Sequence, residues 1–400
     1  MSENLDFKSI INRKGYFSVK HEFSEKNFIP MSIADMDLPC AKPIQDAIIK
    51  RVNHPIYGYT FQPLSMWKAV QKWLKSEQKW DVDMDSFVFT PNLVTATVNC
   101  VRTYTNPLDG ILVMLPLYSP LQTLVQKENR HLIKYHLELN LETNQYCFNL
   151  KKIEELIKTK HIKMLIFCSP HNPSGRVWKK SELTQLAKLC KIHNVFILSD
   201  EIHADLTLKP TQKPYYSMGK ICSYPSINFK EIIVLSSPSK TWNLGGIQCG
   251  FLVISDKTLM KKYMRHVEHT YGHYGSIFAT TTMIASYTMG KPYLLKLKKH
   301  LQSNIELLKT CFLKIAPEIN IIFPDASYLV WLDCREFCKK RDLKGKDALI
   351  NFFIQKAKIQ LSSGYSFGGS KYEYFCRINI GVPTDLLKKV LDNMTTAILN

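Results

Sequence analysis

Ser236-Ser-Pro-Ser-Lys240-Thr-Trp-Asn-Leu-Gly-Gly246 follows directly after the apolar run Ile232-Ile-Val-Leu235. The length and β-branched residues of that run predict a buried strand. Serine hydroxyls are suited to binding a phosphate, and a partly desolvated lysine at the end of a sheet is suited to forming a Schiff base with a carbonyl cofactor. Taken alone, the stretch fits an ordinary surface loop better. A functional interpretation of it therefore depends on other features of the chain.

Strands and helices alternate through the middle of the chain. Its 400 residues, 45% of them apolar, can bury a large core, so we expect one large and one small domain. Predicted strands fall at 111–115, 164–168, 195–198, 232–235 and 249–254. This pattern predicts an α/β fold with a mostly parallel sheet covered by helices.

A second region follows the large sheet. A long amphipathic helix is predicted at 293–313, with strands at 319–323 and 328–332 after it. We therefore expect a small domain built from both chain ends. The predicted large domain is 51–287, and the predicted small domain comprises 1–50 and 288–400.

Four polar or aromatic residues each lie a few positions beyond a predicted strand: Tyr118, Asn172, Asp200 and Lys240. In open α/β sheets ligands bind outside the carboxyl ends of the strands, so these side chains are expected to converge. A carboxylate can keep a pyridine nitrogen protonated, an amide can bond a phenolic oxygen, an aromatic ring can stack, and a lysine can form an imine. Pyridoxal phosphate has these four requirements.

Two further stretches leave alternatives open. Residues 87–95 predict a strand, a turn and a helix start, and free amides at a helix N-terminus can bind an anion. An ordinary helix start fits that stretch equally well. Arg377 lies in an apolar strand, and a buried arginine requires a carboxylate partner, so a structural salt bridge is the simpler interpretation of it.

Several classes of protein are not expected. The net charge of +19 is spread along the chain without a nucleic-acid-binding motif, so a nucleic-acid partner is not predicted. No apolar run reaches the length of a membrane span, and the N-terminus lacks the features of a secretory signal. The eleven cysteines include no Cys-x-x-Cys pair, which argues against a metal site and favours reduced thiols in the cytoplasm.

The chain resembles fold-type I pyridoxal-phosphate enzymes of the aminotransferase class I/II superfamily over nearly its whole length. It is most similar to the MalY/PatB-type cysteine–sulfur β-lyases, the group of cystathionine β-lyase and cystalysin. The motifs that carry the resemblance are Ala34-Asp-Met-Asp37, Gly58-Tyr-Thr60, Ser169-Pro-His-Asn-Pro-Ser-Gly-Arg-Val-Trp178, Ser199-Asp-Glu-Ile-His203, Pro238-Ser-Lys-Thr-Trp-Asn-Leu-Gly-Gly246 and Arg377-Ile-Asn379. The resemblance implies a seven-stranded, mostly parallel sheet with helices on both faces, plus a smaller α/β domain.

The resemblance also implies a role for each matched residue. Lys240 would carry pyridoxal 5′-phosphate covalently and then move the Cα proton, for which its pKa has to fall through burial and nearby positive charge. The other implied cofactor contacts are Asp200 to the pyridine nitrogen, Asn172 to the phenolic oxygen, Tyr118 stacked on the ring, His203 beside it, and Ser237, Ser239, Leu93 and Val94 around the phosphate. Arg377, with Asn172 and Ala34, would bind the amino-acid substrate. Tyr59 would reach the phosphate of a neighbouring subunit, which implies a homodimer.

Two departures from the general aminotransferase pattern favour a lyase. His203 stands where that pattern often has a tyrosine, and Gln248 stands where it has a phosphate-binding arginine. A further feature is a departure from the lyase branch itself: Ser363-Gly364 stands where much of that branch has Pro-Gly, and it is expected to alter the edge of the site near Arg377. The predicted reaction is α,β-elimination from cystathionine, cysteine or a related thio-amino acid. An aminotransferase and a cofactor-retaining regulatory protein are the alternatives.

Overall fold

A computed structural model describes residues 7–22, 24, 27–208, 214–270, 272 and 274–400. The strands, in chain order, are β1 (Ile29–Pro30), β2 (Phe87–Thr90), β3 (Gly110–Leu115), β4 (His131–His136), β5 (Glu138–Asn140), β6 (Gln145–Cys147), β7 (Ile162–Cys168), β8 (Phe196–Asp200), β9 (Ile232–Ser236), β10 (Gly250–Val253), β11 (Asn320–Ile322), β12 (Leu329–Asp333), β13 (Ile359–Gln360), β14 (Ser362–Ser363) and β15 (Phe375–Asn379).

The α-helices alternate with these strands. They are α1 (Val19–Glu22), α2 (Lys42–Val52), α3 (Leu64–Glu77), α4 (Leu93–Tyr104), α5 (Ser119–Lys127), α6 (Leu150–Thr159), α7 (Lys180–Ile192), α8 (Met218–Ser223), α9 (Lys257–Glu268), α10 (Ile277–Met289), α11 (Lys291–Ile315), α12 (Arg335–Lys340), α13 (Ala348–Phe352) and α14 (Thr384–Leu399).

The central sheet has seven strands within the described residues, in the order β2-β10-β9-β8-β7-β3-β4. Strand β10 runs antiparallel to both of its neighbours, and the other pairs are parallel. The predicted mostly parallel sheet is therefore confirmed. Every residue of β3 and β9 is buried, as expected for strands covered by helices on both faces.

Strand β4 is the part of this sheet that the sequence did not reveal. It lies at the edge, and its burial is mixed: His131 and Lys134 are exposed, Tyr135 is buried, and the other three residues are partly buried. An edge strand needs no continuous apolar run, so its sequence, His-Leu-Ile-Lys-Tyr-His, carries little of the signal that marks its neighbours.

A four-stranded antiparallel sheet, β11-β12-β15-β14, follows the long helix α11. Near the other chain end, β1 pairs in parallel with β13. This pairing joins Ile29 and Pro30 to Ile359 and Gln360 in the C-terminal region. The division into domains at 51–287 and at 1–50 with 288–400 remains a prediction.

The sequence also predicts a helix near 346–358, and the helix found there is shorter. Helix α13 ends at Phe352, and a π-helical turn, Phe353–Ala357, continues to Lys358 in the left-handed conformation. None of the helices described is long and apolar enough to cross a membrane.

Candidate active site

One cavity of about 740 Å³ opens at the carboxyl edge of the central sheet. It brings together eleven of the residues singled out in the sequence: Ala34, Leu93, Val94, Tyr118, Asn172, Asp200, His203, Ser237, Ser239, Lys240 and Arg377. Most of them follow the ends of β2, β3, β7, β8 and β9, because parallel strands deliver their carboxyl ends to one edge. Arg377 reaches the cavity from β15 of the small sheet.

Lys240 is held inside this cavity by a backbone oxygen. Its Nζ donates a hydrogen bond of 2.6 Å to the carbonyl of Ala34. Burial, together with the positive charge of Arg377, lowers the pKa of Lys240 to about 8. A lysine that acts as a base needs a lowered pKa, and burial and nearby positive charge are the expected causes of that lowering. A substantial fraction of the amine is neutral slightly above neutral pH, so it can act as a nucleophile or base.

Asp200 ends strand β8 and is partly buried. Among the described residues, its hydrogen-bond donor is the backbone N–H of Ile202, at 3.2 Å. Burial raises the pKa of Asp200 to about 6, although this hydrogen bond and the charge of Lys240 oppose the rise. The carboxylate is still mostly ionised at neutral pH and has capacity to accept a bond from a protonated ring nitrogen.

Arg377 does not form the structural salt bridge that its sequence context suggested. In the described part of the chain, its guanidinium donates to the Asn172 side chain at 2.9 Å and to the Ser32 carbonyl at 3.0 Å. It also lies over the ring of Phe367, 4.9 Å from the ring centre. Its Nε is buried, and no described residue forms a hydrogen bond with it. The charge is oriented but uncompensated, as expected for a residue that binds a ligand carboxylate.

Hydroxyls and amides line another part of the cavity. The Ser237 hydroxyl lies 2.8 Å from that of Ser239 and 2.6 Å from the Cys249 carbonyl. The side chain of Asn92 caps the N–H of Thr95, which leaves the first amides of α4, those of Leu93 and Val94, at the cavity wall. Hydroxyls beside the positive end of a helix form a suitable phosphate site.

His203 and Tyr118 complete the aromatic part of the cavity. Burial and the charges of Lys240 and Arg377 lower the pKa of His203 to about 3, so this imidazole is neutral. Its Nδ1 is buried and has no hydrogen-bond partner in the part of the chain that the structure describes. Tyr118 is partly exposed, and burial raises the pKa of its hydroxyl, which therefore stays protonated.

The loop that carries Ala34 is held by two asparagines whose roles the sequence reasoning missed. The Asn379 amide donates to the carbonyls of Ile33 and Asp35, at 2.7 and 2.6 Å. The Asn243 amide donates to the carbonyls of Met36 and Leu38, at 2.8 and 2.9 Å, and accepts from the Met36 N–H at 3.0 Å. A usable signal existed, because both asparagines lie inside the motifs that contain Lys240 and Arg377.

Ionic contacts and a phenol support the same loop. Arg13 pairs with Asp35 at 2.9 Å and with Asp37 at 2.6 Å, and buried Lys20 pairs with Asp37 at 2.8 Å. The Tyr328 hydroxyl donates to the Ala34 carbonyl at 2.9 Å. Nothing in the local sequence around Arg13 or Tyr328 indicated these contacts.

Tyr59 is the predicted site residue that lies outside the cavity. Its side chain is fully exposed and lines a separate surface depression with Tyr57 and Tyr274. Within a single chain, therefore, Tyr59 does not reach the other predicted phosphate ligands.

The residues present fit the pyridoxal phosphate that the resemblance implies. Asp200 is a partly buried carboxylate with acceptor capacity, Lys240 is a partly buried lysine with a lowered pKa, and the first residues of α4 lie at the cavity wall. Among the described residues, no group of three or more His, Cys, Asp or Glu side chains could hold a metal ion.

Comparison with known proteins agrees with this fit. The model of the aminotransferase class I and II family matches residues 27–394. Cystathionine β-lyase PatB of Bacillus subtilis is 30% identical over 98% of this chain and 100% of its own length, and protein MalY of Escherichia coli is 26% identical over 98% and 99%. The structure of cystalysin from Treponema denticola, which contains pyridoxal 5′-phosphate, superposes with a TM-score of 0.91 at 28% identity, covering 98% of both chains. The chain belongs to the aminotransferase class I and II family, in the branch that includes the cystathionine β-lyase PatB.

Proposed function

We propose that this protein is a pyridoxal-phosphate-dependent carbon–sulfur β-lyase. It removes the sulfur substituent from Cβ of a thio-amino acid as a thiol or sulfide, and water hydrolyses the released aminoacrylate to pyruvate and ammonia. The observation that carries the proposal is the meeting of Lys240, Asp200 and Arg377 in one cavity. Full-length similarity to PatB supports the lyase reaction in particular.

Arg377 and Asn172 are the proposed binding groups for the substrate α-carboxylate. The guanidinium is buried, lacks a carboxylate partner among the described residues, and is oriented by the Asn172 side chain and the Ser32 carbonyl. A carboxylate bound here satisfies the buried charge. It also fixes the amino acid, so that the substrate approaches Lys240 in one orientation.

Lys240 is the proposed base. Its neutral Nζ takes the proton from the substrate Cα, and burial together with Arg377 keeps enough of the amine neutral for this step. The carbonyl of Ala34 holds the free amine in place. The bond between Cβ and sulfur then breaks, and the sulfur leaves with the bonding electrons as a thiolate.

Pyridoxal phosphate, when bound, supplies the carbonyl that joins the amine and the ring that draws electrons away from Cα. Asp200 is the proposed partner of the ring nitrogen, and Asn172 and Tyr118 are proposed to contact the ring. Ser237, Ser239 and the amides of Leu93 and Val94 are proposed to hold the phosphate, with His203 nearby.

One assay distinguishes lyase activity from aminotransferase activity. Purified enzyme with pyridoxal phosphate is given L-cystathionine or L-cysteine without a keto-acid acceptor, and pyruvate is measured while an absorbance spectrum is recorded. Release of pyruvate over many turnovers supports the lyase. Turnover that depends on an added keto acid contradicts it and identifies an aminotransferase.

We also propose that two copies form a homodimer in which Tyr59 completes the phosphate site of the other subunit. Supporting this, Tyr59 lies outside its own cavity, and Ile49, Ile56 and Phe61 nearby are exposed. Light scattering tests the assembly. Tyr59→Phe is expected to weaken cofactor affinity without changing the oligomeric state.

The cytoplasm is the proposed location of the enzyme. All eleven cysteines are free thiols, and eight of them are buried. Free thiols are typical of proteins in a reducing compartment. Fractionation of the source cells tests this location.

A further inference from the structure

Residues 7–22 form an N-terminal segment that contacts the rest of the chain through an apolar and an ionic attachment. Phe7 is buried, and its ring packs edge-on against Tyr293 with 5.4 Å between the ring centres. The ionic attachment joins the segment to residues 32–38, the loop that presents the Ala34 carbonyl to the proposed base. It begins at the residue that directly follows Ala34 in the chain.

Two acidic residues of this loop pair with basic residues of the N-terminal segment. The Arg13 guanidinium donates to the Asp35 carboxylate at 2.9 and 3.1 Å and to the Asp37 carboxylate at 2.6 Å. The buried amine of Lys20 donates to Asp37 at 2.8 Å and to the backbone carbonyl of Asp35 at 3.2 Å. His21 Nε2 lies 2.9 Å from Asp37. The N-terminal segment therefore holds both the side chains and the main chain of the loop.

The two carboxylates depend on Arg13 to different degrees. Burial opposes the ionisation of Asp37, but hydrogen bonds from His21, Lys20 and Arg13 and the charge of Lys20 hold its pKa below the usual range. Without Arg13, Asp37 would still have two of these partners. Asp35 would keep one basic neighbour among the described residues, the amine of Lys20 at 3.8 Å. Arg13 is therefore the main partner of the Asp35 side chain.

The charge of Asp35 also acts on Lys240. Among the described residues, three charged groups influence the amine: Arg377 of the small sheet, Asp200 of β8 and Asp35 of the loop. Burial and Arg377 lower the pKa of Lys240 to about 8, whereas Asp35 and Asp200 oppose that lowering. Burial keeps the other titratable groups near the amine uncharged at neutral pH, namely Tyr118, Cys168, His203, Cys249 and Tyr328. A cation paired with Asp35 offsets its negative charge and so weakens its effect on the amine.

We propose that Arg13 is a positioning residue for Lys240. It pairs with Asp35 and so keeps the loop carbonyl at the amine, and it limits how far the charge of Asp35 stabilises the protonated amine. The N-terminal segment thereby helps to set the pH at which the base becomes neutral. This inference rests on the proposed lyase function, in which Lys240 is the base, and adds a residue that acts on that base through Asp35.

Variants of the Arg13–Asp35 pair test the proposal through the pH profile of kcat. Arg13→Gln is expected to move the midpoint of the rise to higher pH by roughly half a unit or more, because Asp35 then stabilises the protonated amine without an opposing cation. Asp35→Asn removes the negative charge and should move the midpoint to lower pH. Arg13→Lys keeps the positive charge and should return the midpoint toward that of the parent protein.

A purely structural role for Arg13 would lower Tm without moving the midpoints in opposite directions. Tm is therefore measured for every variant. Arg102→Gln is the matched control, because it removes an ion pair with Glu128 outside the cavity and should leave the midpoint unchanged. A midpoint of Arg13→Gln within about 0.2 unit of the parent value, or a move to lower pH, would overturn the proposal. If Arg13→Gln does not fold, the shift of Asp35→Asn decides, and an unshifted profile overturns the proposal.

Absorbance gives a measurement that needs no turnover. A pH titration of the spectrum of the enzyme loaded with pyridoxal phosphate reports the protonation of the nitrogen that Lys240 contributes to its bond with the cofactor. The midpoints are expected to increase from Asp35→Asn through the parent protein to Arg13→Gln. If no thio-amino acid yields pyruvate, the lyase proposal fails, while this order still decides the role of Arg13. Identical titrations of the three proteins would overturn that role.

Discussion

The amine of Lys240 lies 2.6 Å from the carbonyl oxygen of Ala34, although 206 positions separate the two residues in the chain. The loop that presents this carbonyl is tied to Asn379 and Asn243, which belong to the motifs of Arg377 and Lys240. The lysine, the arginine and the loop between them therefore form one connected unit.

Lys240→Ala is expected to abolish lyase turnover, because Lys240 is the only lysine among the described residues that line the cavity and is the proposed base for the Cα proton. Pyruvate release and the Tm of the purified variant are the measurements. Borohydride reduction should label Lys240 in the parent protein and leave the variant unlabelled. Lys261→Ala, at an exposed position of α9, serves as the control. Normal turnover by the Lys240 variant would refute the assignment.

Arg377→Ala is expected to raise KM by roughly 10- to 100-fold, since the variant loses charge-assisted hydrogen bonds to the carboxylate. The effect should fall mainly on KM, because this contact exists before the transition state. Steady-state kinetics measures the split. Arg102→Ala removes an exposed arginine that pairs with Glu128 and should change neither parameter. A large loss of kcat at constant KM would contradict the proposed role.

Asp200→Asn is expected to lower kcat by on the order of 100-fold, because the amide cannot stabilise a protonated ring nitrogen as the carboxylate does. Asparagine is close in size to aspartate, so the fold should persist. Turnover, the absorbance spectrum and Tm together measure the effect. An unchanged kcat would show that the carboxylate charge is not used.

The pH dependence follows from the state of Lys240. A base acts when it has lost its proton, and the pKa of this lysine is lowered to about 8. Activity should therefore rise with pH through about 8 and level off above it. Since Arg377 contributes to the lowering, Arg377→Gln should shift this rise to higher pH. A profile that falls over the same interval, or an unshifted profile in the variant, would argue against Lys240 as the base.

Asn379→Ala is expected to destabilise the protein by about 1–3 kcal/mol, because the carbonyls of Ile33 and Asp35 each lose one donor and the Gly381 N–H loses its acceptor. Denaturant unfolding measures the change. Asn393→Ala is the comparison. It removes a single hydrogen bond, from the side-chain amide to the Ala357 carbonyl, and should lower the free energy of unfolding by less. Equal stability of Asn379→Ala and the parent protein would show that the hydrogen bonds from Asn379 to this loop do not contribute to the stability of the fold.

Much of this architecture could be predicted from the sequence. Covered strands such as β3 and β9 are continuous apolar runs, because both of their faces are buried, and those runs reveal the parallel sheet. Polar residues just beyond such strands, including Asp200 and Lys240, were thereby assigned to one edge. The exposed edge strand β4 lacked this signal, and the sequence did not reveal it.

The sequence by itself determined the fold class and which side chains gather around the cavity, because strand order and direction place the end of every covered strand at the same edge. Only the tertiary structure decided that Arg377 has no carboxylate partner among the described residues, that Ala34 receives the amine of Lys240, and that Tyr59 lies outside its own cavity. These facts depend on contacts between residues far apart in the chain. Burial and neighbouring charge, which set the pKa of Lys240, arise only when those residues meet.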